Sequence, residues 1–221
     1  MTTTSTEQST RLLLASTSPA RKKILTDAGI VFDVMPSEVD EEQALASAQQ
    51  EAFAAGLSTI SPAQTALLLA KAKSRDVAGR AEASGALVLG CDSVFELDGQ
   101  AFGKPKTEQV ARERIAAMSG RSGVLHTGHW LVDTRTGAES SQLRSATVHF
   151  AQLTEAEIDA YVATGEPLWV AGSFTIDGFG AAFITGIEGE FHTVVGLSVN
   201  ALREMLRTLS ADLTNFWKKS Q

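Results

Sequence analysis

The hydrophobic pattern of this chain changes period repeatedly, and the changes predict strands followed by helices. Apolar or alternating runs bounded by small polar residues, glycine or proline predict strands at 11–15, 31–35, 86–89, 124–133 and 145–150. A glycine-rich stretch over 172–189 predicts a loop and one further strand. An acidic run over 37–42 predicts a turn, and the pair Asp98 and Gly99 predicts a tight hairpin.

Helical spacing of apolar residues marks the segments between these strands. Ser18 and Pro19 are typical of an N-cap and a first helical position, so we expect a helix that begins there and ends at Gly29. Further helices are predicted at 64–77, at 108–118, after a Thr154 cap, and at 199–209. Strands that alternate with helices favour an α/β fold over an all-helical or all-β fold.

Composition narrows the class of protein. Of the 221 residues, 43% are hydrophobic, which is enough to bury a sizeable core, and the net charge is −7. This negative charge argues against broad attraction to nucleic-acid backbones, so we expect no nucleic-acid partner. One cysteine, Cys91, excludes an internal disulfide framework, and no apolar run reaches the roughly 18 residues of a membrane span. With no signal-peptide pattern, we expect a soluble, cytoplasmic protein and no membrane partner.

The domain organisation predicted from the sequence is simple. The Thr- and Ser-rich residues 1–10 are expected to be a disordered tail, 11–210 a single catalytic domain, and 211–221 a C-terminal tail. No internal repeat and no interdomain linker interrupts the pattern.

The chemistry is concentrated around one carboxylate and one ammonium. The apolar run 86–89 is expected to deliver Asp92 to a strand end, where open α/β sheets place ligands. Lys104 follows in a rigid turn between Gly103 and Pro105. A carboxylate can hold a divalent ion or activate water, and a lysine can neutralise phosphate oxygens. This pair therefore points to metal-assisted phosphate chemistry.

Four blocks in this order resemble the Maf family of nucleoside triphosphate pyrophosphatases: LLLASTSPAR, VLGCDSVFELDGQAFGKPKT, EAEIDAYVATGEPLWVAGSFTIDGFGAAFI and HTVVGLSVNALREML. The resemblance covers most of residues 11–209. It implies a mixed twisted sheet with flanking helices, with two lobes around a nucleotide cleft. It also implies a homodimer, a divalent metal such as Mg²⁺ or Mn²⁺, and hydrolysis of a nucleoside triphosphate to a monophosphate and pyrophosphate.

Site residues follow from the same resemblance. Asp92 matches the catalytic acid, as proton acceptor or metal anchor, although such an aspartate can also cap a turn. Glu41 matches a glutamate that binds the metal or orients water, although acidic turns are often only solvated. The resemblance implies that Lys104 is a catalytic cation and that the triphosphate contacts Ser16, Arg21 and Lys73.

Recognition of the base is implied at three further positions, Ala20, Ser93 and Asp177. The acid at 177 is closer to the family branch that acts on methylated guanosine triphosphate, because a carboxylate accepts hydrogen bonds from guanine N–H groups. We therefore expect a purine or a modified base, although Asp177 can instead cap the turn at Gly178. Phe174 is expected either to stack on the base or to pack in the core.

Two functional classes remain open at this point. The first is an enzyme that removes modified or surplus nucleotides. The alternative is a non-catalytic regulator of cell division that binds nucleotide, since members of this family have been described as inhibitors of septum formation. A kinase or GTPase is disfavoured, because the chain lacks a Walker sequence.

Overall fold

A computed structural model describes residues 10–56 and 59–219, so most of the predicted tail at 1–10 lies outside the described residues. Its strands are β1 (Arg11–Leu14), β2 (Asp33–Val34), β3 (Ala86–Leu97), β4 (Gln100–Phe102), β5 (Ser122–Asp133), β6 (Glu139–Phe150) and β7 (Ile184–Glu188). Its α-helices are α1 (Pro19–Asp27), α2 (Glu41–Ala54), α3 (Pro62–Ala78), α4 (Glu108–Met118), α5 (Glu155–Ala163), α6 (Phe191–Val195) and α7 (Val199–Thr208). Among these described helices, none has the length and apolar character needed to cross a membrane.

The strands form one mixed sheet in the order β2-β1-β3-β5-β6-β7, with β4 paired to the distal part of β3. Strands β2, β1 and β3 are parallel, whereas β5, β6 and β7 continue the sheet in antiparallel fashion. The expected α/β class with a mixed sheet is therefore confirmed.

Several helix boundaries follow from local signals in the sequence. The Ser18 hydroxyl accepts a hydrogen bond from the Arg21 N–H, and Pro19 begins α1. Thr154 and Glu157 form a reciprocal capping box at the start of α5. The helix predicted over 108–118 has the same bounds in the structure.

The predicted acidic turn over 37–42 is wrong at its C-terminal end, because Glu41 begins a helix of 14 residues. The Asp40 side chain caps this helix by accepting from the Gln43 N–H at 3.0 Å. Glu41 and Glu42 lie in its first turn, where negative side chains are favoured by the helix dipole. The carboxylate of Glu41 is thus fixed to a helix rather than to a mobile turn.

The expectation that Asp92 lies at a strand end is wrong, because Asp92 lies inside β3. β3 continues to Leu97 because β5 pairs with it from Leu87 to Glu96. The neighbouring parallel strand β1 nevertheless ends opposite Leu89, so Asp92 lies just beyond the end of β1.

The two halves of β3 serve different parts of the core. Leu87 and Leu89 pack with Leu25 of α1 and with residues of α7, whereas Val88 points to the opposite face and packs near α3. Further along the strand, Phe95 joins a second cluster with α4, α5 and β6. Asp92 lies at the junction of these two clusters.

The segment 211–219, which was predicted as a tail, packs on the domain. Phe216 is only 6% exposed and belongs to the core cluster that contains α1 and α7. The backbone N–H of Val31 donates to the Phe216 carbonyl at 2.6 Å, and that of Lys218 donates to the Gly29 carbonyl at 2.8 Å.

Candidate active site

An opening in the edge of the sheet lies where β1 has ended and β4 has not begun. β1 pairs with β3 as far as Leu89, and β4 pairs with it from Phe95 onward. The segment Gly90–Val94 is therefore paired on one edge only, by β5. Because successive strand residues direct their backbone groups to opposite edges, Ser93 directs its N–H toward this opening, just as Leu89 directs its carbonyl toward β1. Cys91 has the same orientation but is 0% exposed, whereas Ser93 is partly exposed. We call Gly90–Val94 with its open edge the β3 notch.

Lys73 joins two carboxylates beside the β3 notch. Its Nζ lies 2.5 Å from Oδ1 of Asp92 and 2.8 Å from Oε1 of Glu41. The side chains of Asp92 and Lys73 are each 12% exposed, whereas that of Glu41 is 49% exposed. The structure thus brings together three predicted site residues, which come from β3, α3 and α2.

The two carboxylates differ in acidity. Burial raises the pKa of Asp92 above its ordinary value, although the charges of Lys73 and Arg21 act in the opposite direction. Burial also acts to raise the pKa of Glu41, but Lys73, Lys104 and Arg21 outweigh it, and the pKa is lowered. Asp92 is therefore the better proton acceptor of the two near neutral pH, whereas Glu41 stays ionised to lower pH.

Two glycines allow α3 to approach the sheet closely enough for Lys73 to reach Asp92. A Cβ atom at Gly90 would lie 2.2 Å from the carbonyl oxygen of Ala70, and one at Gly128 would lie 2.4 Å from that of Ala66. Any side chain at either position would therefore push the backbone of α3 away from β3 and β5.

Arg21 lies across β3 from α3, at the start of α1. Its Nε donates to the Gly196 carbonyl at 2.8 Å, its Nη1 to the Ser16 hydroxyl at 3.3 Å, and its Nη2 to the Ser93 hydroxyl at 3.2 Å. A guanidinium has five N–H donors, so two remain for a ligand among the contacts made by the described residues. Its charge also acts on the pKa of Asp92.

Ser16 is 8% exposed in the polar turn between β1 and α1. Its oxygen accepts from the Ser18 N–H at 3.2 Å as well as from Arg21. The hydroxyl hydrogen of Ser16 is therefore left to donate to another oxygen, such as that of a phosphate.

Lys104 lies in the exposed loop between β4 and α4. It makes no hydrogen bond or ion pair within the described part of the chain, but its positive charge helps to lower the pKa of Glu41. The ammonium therefore lies near the same carboxylate that Lys73 contacts, and it is available to a ligand.

The position of Phe174 matches the packing alternative. Its ring is 6% exposed and makes edge-on contacts with Phe95 and Phe150, at centroid distances of 5.2 and 5.0 Å. These contacts place the ring in the core, so base stacking by Phe174 is not retained in our proposal.

Asp177 is exposed on a loop that Glu166 organises. The Glu166 carboxylate accepts from the hydroxyls of Tyr161 and Thr175, at 2.9 and 2.5 Å, and from the N–H groups of Phe179 and Gly180. The charge of Asp177 contributes to the raised pKa of Lys23 on α1, after the larger effect of Asp27. This loop therefore lies on the side of the site that faces α1, where Ala20 occupies the first turn.

Comparison with known proteins shows the family to which this chain belongs. A family model described as Maf-like protein matches residues 11–209. The chain belongs to the Maf family. It is 47% identical over 215 residues to a nucleoside triphosphate pyrophosphatase of Leifsonia xyli, covering 95% of this chain and 98% of the relative. It is also 47% identical over 211 residues to a nucleoside triphosphate pyrophosphatase of Streptomyces coelicolor, covering 96% of each chain. A third such relative, of Trichormus variabilis, is 39% identical over 211 residues, covering 96% of this chain and 100% of the relative.

The four Maf-like blocks of the sequence converge on the β3 notch. The first block contains Arg21, and the second contains Asp92 and Lys104. The fourth block contains Gly196, whose carbonyl accepts from Arg21. The third block supplies the loop with Asp177.

Two groups in this Maf site were absent from the predicted set. The Gly196 carbonyl holds Arg21, and the buried hydroxyl of Thr127 contacts Ser93 at 3.0 Å. Thr127 is a polar residue within a predicted strand, and a polar side chain that a strand buries needs a hydrogen-bond partner. Its partner could be named only from the register that places it opposite Ser93.

The donor set beside the notch fits a hard divalent cation. Asp92 and Glu41 offer carboxylate oxygens, and Mg²⁺ is commonly held by one or two carboxylates together with substrate phosphates and water. Among the described residues, no cluster of three or more His, Cys, Asp or Glu side chains forms a cage for a metal. The residues present therefore suit a metal that arrives with a phosphate ligand.

Proposed function

We propose that this protein hydrolyses nucleoside triphosphates to a nucleoside monophosphate and pyrophosphate. The observation that carries the proposal is the placement of Asp92, a buried carboxylate with a raised pKa, 2.5 Å from Lys73 at an opening of the sheet. The relatives described above are named nucleoside triphosphate pyrophosphatases, which supports the same activity.

The groups around the β3 notch suit attack of water on the α-phosphorus. Asp92 accepts a proton from the water while the water oxygen bonds to the α-phosphorus. The bond from the α-phosphorus to the bridging oxygen then breaks and releases pyrophosphate. Arg21, Lys73 and Lys104 offset the charge that develops on the phosphate oxygens. The Ser16 hydroxyl and the backbone N–H of Ser93 add neutral donors.

A divalent metal belongs to this proposal, with Asp92 and Glu41 as the residues that would hold it. When bound, Mg²⁺ or Mn²⁺ would neutralise phosphate oxygens and polarise the phosphorus centre. Lys73 holds one oxygen of each of these side chains, and it therefore fixes the directions in which the remaining oxygens are presented.

A guanine-type or methylated purine is the base that we propose. Asp177 is an acceptor without a donor of its own, so it matches the N1–H and N2–H₂ groups of guanine and offers nothing to the carbonyl oxygens of thymine. Its loop donates three hydrogen bonds to Glu166, which keep the acceptor in a defined place.

The decisive experiment is a substrate panel with the purified protein and Mg²⁺ or Mn²⁺. We expect release of pyrophosphate rather than orthophosphate, with guanine or methylated guanine triphosphates preferred over UTP and dTTP. Asp92→Asn should nearly abolish turnover. Asp98→Asn, in the exposed hairpin at the end of the same strand, should leave it unchanged.

The outcome also separates the enzyme from the regulator. Release of orthophosphate would indicate an ordinary phosphatase, and nucleotide binding without turnover would favour the division regulator. A preference for UTP and dTTP would contradict the assignment of Asp177 but not the hydrolysis. The homodimer stays a prediction, which light scattering tests. The cytoplasmic location also stays a prediction.

A further inference from the structure

Arg21 is held by a chain of hydrogen bonds that runs through the core to the α6 turn. Its Nη2 contacts the Ser93 hydroxyl at 3.2 Å, and that hydroxyl contacts the Thr127 hydroxyl at 3.0 Å. Thr127 in turn contacts the carbonyl oxygen of Thr193 at 2.8 Å. Ser93 and Thr127 face each other across β3 and β5, so the sheet register fixes their separation.

The directions of these bonds follow from the number of hydrogens. The Thr193 carbonyl can only accept, so Thr127 must donate its single hydroxyl hydrogen to it. In the bond between the two hydroxyls, Ser93 must therefore be the donor. The oxygen of Ser93 is then oriented to accept from Arg21, and the chain has one polarity from end to end.

Among the described residues, both hydrogen bonds of the Thr127 side chain belong to this hydrogen-bonded chain. Thr127 is 0% exposed, so it cannot touch a nucleotide or solvent. A buried hydroxyl is costly unless it is hydrogen-bonded, and here both of its bonds lie on the path from Arg21 to α6.

Two carbonyls of the α6 turn, one in its middle and one at its C-terminal end, are linked to the same guanidinium. Gly196 at its C-terminal end accepts directly from Nε of Arg21, and Thr193 acts through Thr127 and Ser93. Together with the Ser16 hydroxyl, these two routes hold the guanidinium at all three of its nitrogen atoms, so they restrict its orientation.

We propose that Thr127 is a positioning residue that orients Arg21 toward the triphosphate through Ser93. This inference rests on the proposed function, since it assigns Arg21 to the phosphates of the substrate. It adds a buried residue that acts without touching the nucleotide.

The test is a double-mutant cycle between Thr127→Val and Arg21→Ala. Thr127→Val keeps the shape of the side chain and removes its hydroxyl. We expect it to lower kcat/KM about 10-fold, mainly through KM, because a misdirected charge-assisted hydrogen bond is lost. In the Arg21→Ala background, the same substitution should change kcat/KM by less than about 2-fold, since the group that it orients is absent.

Two further variants separate positioning from general structural damage. Thr127→Ser keeps the hydroxyl and should restore kcat/KM to within about 3-fold of the wild-type value. Thr134→Val removes a hydroxyl that donates to backbone carbonyls at the opposite end of β3, and it should leave kcat/KM unchanged even if it lowers the melting temperature. An equal loss from Thr127→Val in both Arg21 backgrounds would overturn the proposal, as would failure of Thr127→Ser to rescue.

Binding of an α,β-methylene nucleoside triphosphate gives a readout that does not depend on turnover. The cycle measured by calorimetry should show the same coupling, so an absence of hydrolysis in the wild type would count against the proposed function alone. If Thr127→Val does not fold, Ser93→Ala breaks the same chain, because it removes the hydroxyl that joins Thr127 to Arg21. Wild-type affinity in Ser93→Ala, with Arg21 intact, would then refute the inference.

Discussion

The ammonium of Lys73 lies 2.5 Å from Oδ1 of Asp92 and 2.8 Å from Oε1 of Glu41, so one cation on α3 controls two carboxylates from different elements. This relationship makes the protonation of Asp92 depend on its neighbours. Burial raises the pKa of Asp92, Lys73 and Arg21 lower it, and the charge of Glu41 raises it.

Removal of the Lys73 charge should therefore shift the pH dependence of the reaction. In Lys73→Gln the pKa of Asp92 rises further, so the acidic limb of kcat/KM should move to higher pH. Glu41→Gln removes a negative neighbour and should move the same limb to lower pH. The pH profile of pyrophosphate release checks both shifts.

Lys71→Gln is the matched control for this pair, because Lys71 is on the same helix but lies over the ring of Trp130. Its profile should coincide with that of the wild type. Identical profiles for Lys73→Gln and wild type would show that Asp92 is not the group that titrates.

Close packing of α3 should be sensitive to a single methyl group. Gly90→Ala would place a Cβ atom 2.2 Å from the Ala70 carbonyl, so the helix must shift and take Lys73 with it. We expect a loss of about 2 to 4 kcal/mol in the free energy of unfolding and a fall in kcat/KM.

Gly79→Ala provides the comparison at the end of the same helix, where the nearest atom would be 3.5 Å away. This variant should stay within about 0.5 kcal/mol of the wild type in denaturant unfolding. Wild-type stability and activity in Gly90→Ala would contradict the role given to the close approach.

His129 should make folding sensitive to mild acid. Burial lowers its pKa to about 4, and its Nε2 accepts from the Ser198 N–H at 2.8 Å, so the folded protein holds it neutral. In the unfolded chain this histidine binds a proton near pH 6.5. The contribution of His129 to the free energy of unfolding is therefore complete above that pH, and it is lost as the pH falls toward 4. The loss should reach about 3 kcal/mol, measured by urea unfolding at a series of pH values.

The exposed His192 supplies the comparison for this prediction. His192→Asn should retain the full decline of stability between pH 6.5 and 4, whereas His129→Asn should be less stable at neutral pH and should lack that part of the decline. An unchanged slope in His129→Asn would assign the decline to other groups.

Glu166 should control the loop that presents Asp177. Glu166→Gln replaces one acceptor oxygen by an NH₂ group opposite N–H and O–H donors, so at least one of the four hydrogen bonds is lost. We expect a several-fold rise in KM, faster amide exchange over 175–180, and a weaker preference among bases. Glu188→Gln, at an exposed ion pair with His149, should change none of these quantities.

The sequence predicted those parts of the fold whose signals are local. The caps at Ser18 and Thr154 and the helix over 108–118 depend on neighbouring residues, and they match the structure. Helix α2 was missed as a whole because its alanine- and glutamine-rich sequence has little apolar periodicity, although Asp40 is a normal cap. The start of β6 at Glu139 was missed because its first residues are polar and pair with β5 at the surface.

The site was predictable as a set of residues but not as an arrangement. Residue chemistry pointed to Asp92, and the resemblance to the Maf family implied Lys73, Glu41 and Arg21. Their division between the two faces of β3 follows from strand alternation and sheet register, which are long-range properties. Phe174 shows the same limit, since only packing decides whether an aromatic ring lies in a core or against a ligand.

The β3 notch also bears on the risk of aggregation through strand pairing. An unpaired strand edge is a template on which another chain can add a strand, and long exposed edges invite aggregation. Here the open stretch is limited to Gly90–Val94 and is closed at either end by β1 and β4. Four of its five residues, Gly90, Cys91, Asp92 and Val94, are buried, so the open edge offers few accessible backbone groups to a foreign strand.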